Sequence, residues 1–297
     1  MSADDHVQST SAASRRLLLI GIGAGDPDYV TVQAVRAINA FDVLFVVTKE
    51  SDKDDLVHAR TEVIARHREA GAGDFTTVEL PDPERPWSQA LDYPEAVKLW
   101  REQRVALWQS ALQDNLGEGQ TGAFLVWGDP SLYESTLAVV QEVHAQGAVA
   151  FDYEVIPGVS SVHALTARHR IPLNRVGGAV QITPARRLTN GMPMGLDDVV
   201  VMLDGKDTFA SMDPTNLHIY WGAYLGTADE ILLEGPLADL AAKIVEVRAE
   251  AKERKGWIFD TYLLRRTGHD ESKAGVERRL GTDRRIGERR GIEARAA

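Results

Sequence analysis

The run Leu17-Leu18-Leu19-Ile20-Gly21-Ile22-Gly23-Ala24-Gly25-Asp26-Pro27-Asp28-Tyr29-Val30-Thr31 decides how this chain folds. Its opening residues are apolar without alternation, whereas a strand with one wet face would alternate. The run therefore predicts a strand over Leu17–Ile22 that is covered on both faces, as in a parallel sheet. Thr31 stands just ahead of Val32, Val35, Ile38 and Phe41, which recur at helical spacing, and its hydroxyl is placed to cap that helix. A second apolar run, Val43–Val47, follows. Strand, glycine turn, helix and strand make a βαβ unit. The turn is not a dinucleotide fingerprint, because G-x-G-x-x-G needs a glycine where this chain has Asp26.

Working outward, Ala123–Trp127 and Tyr153–Ile156 read as two more buried strands. Each runs into a turn, Trp127-Gly128-Asp129-Pro130-Ser131-Leu132-Tyr133 and Ile156-Pro157-Gly158-Val159-Ser160-Ser161, and then into a helix. All three glycine loops fall at the carboxyl ends of predicted strands, where amides and helix N-termini converge on ligands. From about residue 50 to 120 the pattern is helical, broken by the rigid Pro81-Asp82-Pro83-Glu84-Arg85-Pro86 loop. A second α/β region follows, with strands expected at Val199–Leu203, His218–Trp221 and Trp257–Leu263 and a helix over Leu237–Lys252. The expected organisation is a disordered tail over 1–14, an α/β domain over 15–158, a second over 159–267, and a disordered arginine-rich tail over 268–297.

Composition narrows the function. The chain has 297 residues, no cysteine and a formal net charge of -11. Absence of cysteine removes disulfides, thiolate metal sites and thiol nucleophiles, and no metal is expected. The acidic balance argues against a general nucleic-acid partner, whose affinity rests on neutralising phosphates. No apolar run approaches the ~20 residues of a membrane helix. Ser14-Arg15-Arg16-Leu17-Leu18-Leu19-Ile20 imitates a twin-arginine export signal, but its apolar stretch ends by Asp26 with no small-residue cleavage site. A cytoplasmic protein is expected.

The three loops together resemble the tetrapyrrole (corrin/porphyrin) methylase family, in which strand one leads into G-x-G-P-G-D-P, a later strand ends in G-D-P, and another in P-G-[IV]-[ST]-[SA]. Order and spacing match over roughly residues 16–264. The resemblance implies two α/β domains with the active site in the cleft between them, S-adenosyl-L-methionine as methyl donor, and a homodimer. Ala24 departs from the family's proline. Carried over position by position, the cofactor contacts are Ala24, Trp127, Gly128, Asp129, Leu132, Ser160, Ser161, Met202 and Gly226. For Asp129, holding the donor's ammonium and capping the next helix are competing roles.

Further stretches, among them Arg168-His169-Arg170-Ile171-Pro172-Leu173-Asn174-Arg175 and Ile219-Tyr220-Trp221-Gly222-Ala223-Tyr224-Leu225-Gly226-Thr227, point to the cobalamin branch of the family. They resemble members that methylate C1 of precorrin-5 and release the extruded acetyl group as acetate. Methyl transfer needs in-line orientation more than acid–base help. Acetyl removal needs a base and oxyanion donors, for which Asp26, Tyr133, Glu134 and His169 are candidates by position. The carboxylate-rich substrate calls for local cations, and Lys53, Arg85, Arg168, Arg170, Arg175, Arg186 and Arg187 are the candidates. The rival readings are a precorrin methylase acting at another ring carbon and a non-catalytic relative that binds the donor.

Overall fold

The computed structural model describes residues 14–48, 54–84, 93–188 and 191–268. Residues 1–13 and 269–297, which make up all but Ser14 and Gly268 of the two expected tails, and the candidate cations Lys53 and Arg85 lie outside the described residues. The chain divides into two compact units after Ser160.

Unit one alternates strand and helix: β1 (Arg15–Gly21), α1 (Val32–Ile38), β2 (Val43–Thr48), α2 (Asp54–His67), β3 (Thr76–Pro81), α3 (Tyr93–Asn115), β4 (Thr121–Val126), α4 (Thr136–Gln146) and β5 (Phe151–Ile156). The five strands form one parallel sheet in the order β3-β2-β4-β1-β5. Leu17 and Leu19 pack with α3 and α4, while Leu18 and Ile20 face α1 and α2. That two-sided burial is why β1 shows no polar alternation. Thr31 caps α1 as its position predicted, its Oγ1 accepting from the Ala34 amide at 3.0 Å.

The winding order positions the site. From β1 the chain crosses to β2 on one side, and from β4 it crosses to β5 on the other, although β1 and β4 are neighbours. The helices of these two crossovers lie on opposite faces. The switch point of the sheet therefore lies between β1 and β4, and ligands of open α/β sheets bind beyond the carboxyl ends of the strands at such a point.

Unit two contains α5 (Ser161–Arg168), β6 (Val180–Pro184), β7 (Asp198–Met202), β8 (Leu217–Ala223), β9 (Ile231–Pro236), α6 (Leu237–Lys255) and β10 (Asp260–Arg266). Its sheet is mixed, in the order β6-β7-β10-β8-β9, with β10 antiparallel to both β7 and β8. Two strands differ from the helical or loop reading of the sequence, β3 and β9. Both are edge strands whose residues are mostly not buried, so neither carries a continuous apolar signal. The last strand begins at Asp260 rather than Trp257.

Candidate functional site

Three loops of unit one meet backbone to backbone above the switch point. The Gly128 amide donates to the Gly23 carbonyl at 2.8 Å, and the Gly23 amide donates back to the Gly128 carbonyl at 3.3 Å. Gly158 packs between them: a Cβ there would lie 2.1 Å from the Gly128 carbonyl oxygen and 2.9 Å from Gly21 Cα. No side chain fits, so glycine at 158 is demanded by close approach. Gly128 differs. Its φ is +68°, and a Cβ there would meet nothing nearer than Ser160 Cα at 3.9 Å. One face of this junction is therefore sealed and the other is open, a cradle that a ligand's bulk can enter.

Asp129 locks the cradle. One carboxylate oxygen accepts from the Gly158 amide at 3.0 Å, and the other accepts from the Ser131 amide at 2.8 Å and from the Ser131 hydroxyl. It does not cap the next helix, whose N-cap is Ser135. A carboxylate joining two loops across 29 residues has a scaffolding role that neither sequence alternative contained. Ala24 is buried in the chain's first loop, and Asp26 takes the Asp28 amide at 2.9 Å to open a short 3-10 turn. Leu132 closes a tight turn on the Asp129 carbonyl at 3.2 Å, and Glu134 accepts from the Thr136 amide at the start of α4. Trp127 packs against the α1-side core, and Ser160 is 5 % exposed.

Unit two brings its own share together. Thr261 of β10 pairs with Met202 on one side and Gly222 on the other, and its hydroxyl donates to Ser161 Oγ at 3.3 Å. Gly226 follows β8 at the same end of the sheet, its amide bound to Glu230 at 2.9 Å. Just past Met202, the loop is held by a buried polar network. Asp204 accepts from the Lys206 and Thr208 amides and from the Tyr262 hydroxyl at 2.7 Å. Arg248 clamps Asp260 through two bonds and also reaches Asp207 and the Asp204 carbonyl. Burial pushes the Tyr262 phenol and the Asp260 carboxyl above their ordinary values, with Arg248 opposing both.

Three sequence candidates make contacts within unit two. Both ring nitrogens of His169 are engaged, Nδ1 with Glu234 at 3.0 Å and Nε2 with the Trp221 carbonyl at 3.1 Å. Arg168 is paired with Glu230, and Arg175 donates to the Arg266 carbonyl; these guanidiniums serve unit two's own structure. Arg170, Arg186 and Arg187 remain exposed, the last two on a 3-10 turn directly after β6. Among the described residues there is no cluster able to hold a metal ion, and no helix is long and apolar enough to cross a membrane.

An all-parallel, doubly wound sheet with glycine loops at its switch point, followed by a mixed sheet, defines a two-sheet α/β enzyme of the methylase type. The chain belongs to the tetrapyrrole (corrin/porphyrin) methylases, whose family signature matches residues 16–241. It is a methyltransferase. Over 255 residues it is 47% identical to a precorrin-6A synthase (deacetylating) of Sinorhizobium, covering 86% of this chain and 97% of that one. A precorrin-2 C(20)-methyltransferase of Sinorhizobium is 27% identical over 57% of this chain and 64% of its own length. The crystal structure of a cobalamin synthesis related protein from Corynebacterium diphtheriae superposes with a TM-score of 0.73 at 33% identity, over 86% of this chain and all of that one. A uroporphyrin-III C-methyltransferase of Thermus thermophilus, solved with S-adenosylhomocysteine, shares the fold at a TM-score of 0.54 and 18% identity, over 84% of this chain and 96% of its own.

Proposed function

We propose that this chain is a deacetylating precorrin-6A synthase: it transfers a methyl group from S-adenosyl-L-methionine to C1 of precorrin-5 and releases the extruded acetyl group as acetate. The observation that carries the reading is identity of 47% sustained over 97% of a relative with that name, far above the 27% shared with the precorrin-2 methylase. The cradle fits the methyl donor. Its open side at Gly128 offers backbone and space beside the family's contacts of unit one, Ala24, Trp127, Gly128, Asp129, Leu132 and Ser160; the contacts carried over onto unit two are Ser161, Met202 and Gly226. When bound, the donor supplies a methyl group already activated by its sulfonium. The chain's own residues have to hold and orient, and orientation of this kind can be worth about 7–11 kcal/mol.

The substrate's carboxylates are read as meeting Arg170, Arg186 and Arg187, with Lys53 and Arg85 as further candidates. Planar guanidinium suits bidentate carboxylate binding. The same reading expects a cytoplasmic homodimer, supported by the family's habit of pairing and by a chain without cysteine. Incubation with precorrin-5 and S-adenosylmethionine, followed by mass analysis, tests the activity. The expected product has gained one methyl and lost one acetyl. A methylated product that keeps its acetyl group would assign the chain to a sister methylase.

A further inference from the structure

We propose that Thr261 is a positioning residue of the methyl-donor site: its buried hydroxyl holds the Ser161 side chain so that the Ser161 O–H donates to the bound donor. The proposal rests on the function read above and adds a residue to its donor site.

The first observation is where Thr261 stands. It lies on β10, the central strand of unit two's sheet, directly opposite Met202 on β7 and Gly222 on β8. Residues directly opposite one another in antiparallel pairs share a face of the sheet. Helix α5 lies on that same face, with Leu165 against Gly222 and Ser161, its first residue, bonded to Thr261. Thr261 therefore stands between two of the three contacts carried over onto unit two. It is bonded to Ser161 and paired with Met202.

The second observation is the cost of the hydroxyl. Thr261 is 4% exposed, and Tyr262, Leu263 and Leu264, which follow it on β10, are wholly buried. Valine has nearly the same shape, suits such a strand and brings no polar atom. A hydroxyl taken out of water costs free energy unless it is bonded. The Thr261 hydroxyl donates to Ser161 Oγ, 100 residues away in sequence, at 3.3 Å. That distance is long for two hydroxyls, so the bond adds little to stability. Its effect is directional. The Ser161 oxygen accepts from Thr261 and keeps its own proton for another acceptor.

The third is that the rest of α5 is held by other means. Val162, Ala164 and Leu165 are buried. At the far end of the helix Arg168 pairs with Glu230, which also takes the Gly226 amide at 2.9 Å. The helix thus keeps its place without the Thr261 hydroxyl, and what that hydroxyl sets is the orientation of the Ser161 side chain. S-adenosylmethionine carries carboxylate, hydroxyl and ring-nitrogen acceptors. A serine already held in one orientation meets such an atom without first losing its freedom, which is a gain in affinity by preorganisation.

The test uses the full chain, with S-adenosylmethionine affinity measured by calorimetry and stability by thermal melting. Thr261→Val is expected to weaken donor binding about three- to fivefold, the weight of one neutral hydrogen bond, with a melting temperature no lower than wild type. Thr261→Ser keeps the hydroxyl and is expected to bind the donor as wild type does. In a Ser161→Ala background, itself weaker for the donor, Thr261→Val is expected to cost nothing further, because it acts through Ser161. Wild-type affinity in either Thr261→Val or Ser161→Ala overturns the proposal, and the alanine variant decides it alone if the valine variant does not fold. Equal weakening by Thr261→Ser and Thr261→Val also overturns it, since shape rather than the hydroxyl would then matter. So does a full further loss when Thr261→Val is added to Ser161→Ala. A wild-type chain that does not bind S-adenosylmethionine overturns the function read above and the proposal with it, and that result is visible before any variant is made.

Discussion

Replacing Gly128 and Gly158 by alanine, one at a time, should give opposite balances of damage. At 158 the new methyl would sit 2.1 Å from the Gly128 carbonyl oxygen, with backbone rather than a flexible side chain in the way. Overpacking typically costs about 1–3 kcal/mol, and here the loop junction itself must open. At 128 the methyl has clear space, its nearest neighbour at 3.9 Å, and the penalty is the left-handed backbone, about 1–2 kcal/mol. At about 2–4 °C per kcal/mol, Gly128→Ala should melt only a few degrees below wild type. Its new methyl occupies the open side of the cradle, so S-adenosylmethionine should bind at least about tenfold more weakly, or 1.4 kcal/mol. Gly158→Ala should lose both stability and affinity. Thermal unfolding and titration calorimetry on the same samples separate the two effects. A folded Gly128→Ala variant that binds the donor as tightly as wild type would mean that the donor does not lie on the open face.

Charge reversal of Arg186 and Arg187 together should raise the tetrapyrrole dissociation constant at least tenfold, since each charge-assisted bond contributes about 1.5–3 kcal/mol; donor binding should hold, and equal weakening of both ligands would instead report a folding defect. Arg248→Met leaves the buried Asp260 carboxylate and the half-buried Asp207 carboxylate without their cation, and should destabilise by about 3–5 kcal/mol, read as a fall in denaturant midpoint; an unchanged midpoint would mean the network carries no weight. Burial holds the His218 imidazole below its ordinary value of 6.5. The unfolded chain then takes up a proton that the folded chain refuses, so stability should fall as pH drops through that value and level off below the folded one. His218→Gln should flatten this part of the stability–pH curve, and an unaltered curve would assign the slope to another group.

The strands of the parallel sheet were legible because both faces are covered, so Leu17–Ile20 and Phe124–Val126 are apolar without interruption. The edge strands β3 and β9 were not, since Thr76, Thr77 and Glu79 face water and carry no such signal. The loops were legible as glycine turns at strand ends. Their mutual packing was not, because which loops touch depends on β1 lying between β4 and β5, a property of strand order rather than of any one motif. Asp129 illustrates the consequence. Its local surroundings offered a helix cap or a ligand contact, whereas the bond it makes reaches Gly158 on another strand's loop. The surroundings of His169 were hidden for the same reason, since its Nδ1 partner, Glu234, stands on the unread strand β9. Arg186 and Arg187 lie immediately after the end of β6, and the structure leaves both exposed there.

The proposed function requires one chain to couple methyl transfer to loss of the acetyl group. That coupling is read by counting acetate released against methyl groups transferred from isotopically labelled S-adenosylmethionine in a single turnover with precorrin-5. One acetate per methyl is the predicted result. Methyl transfer with no acetate would contradict it.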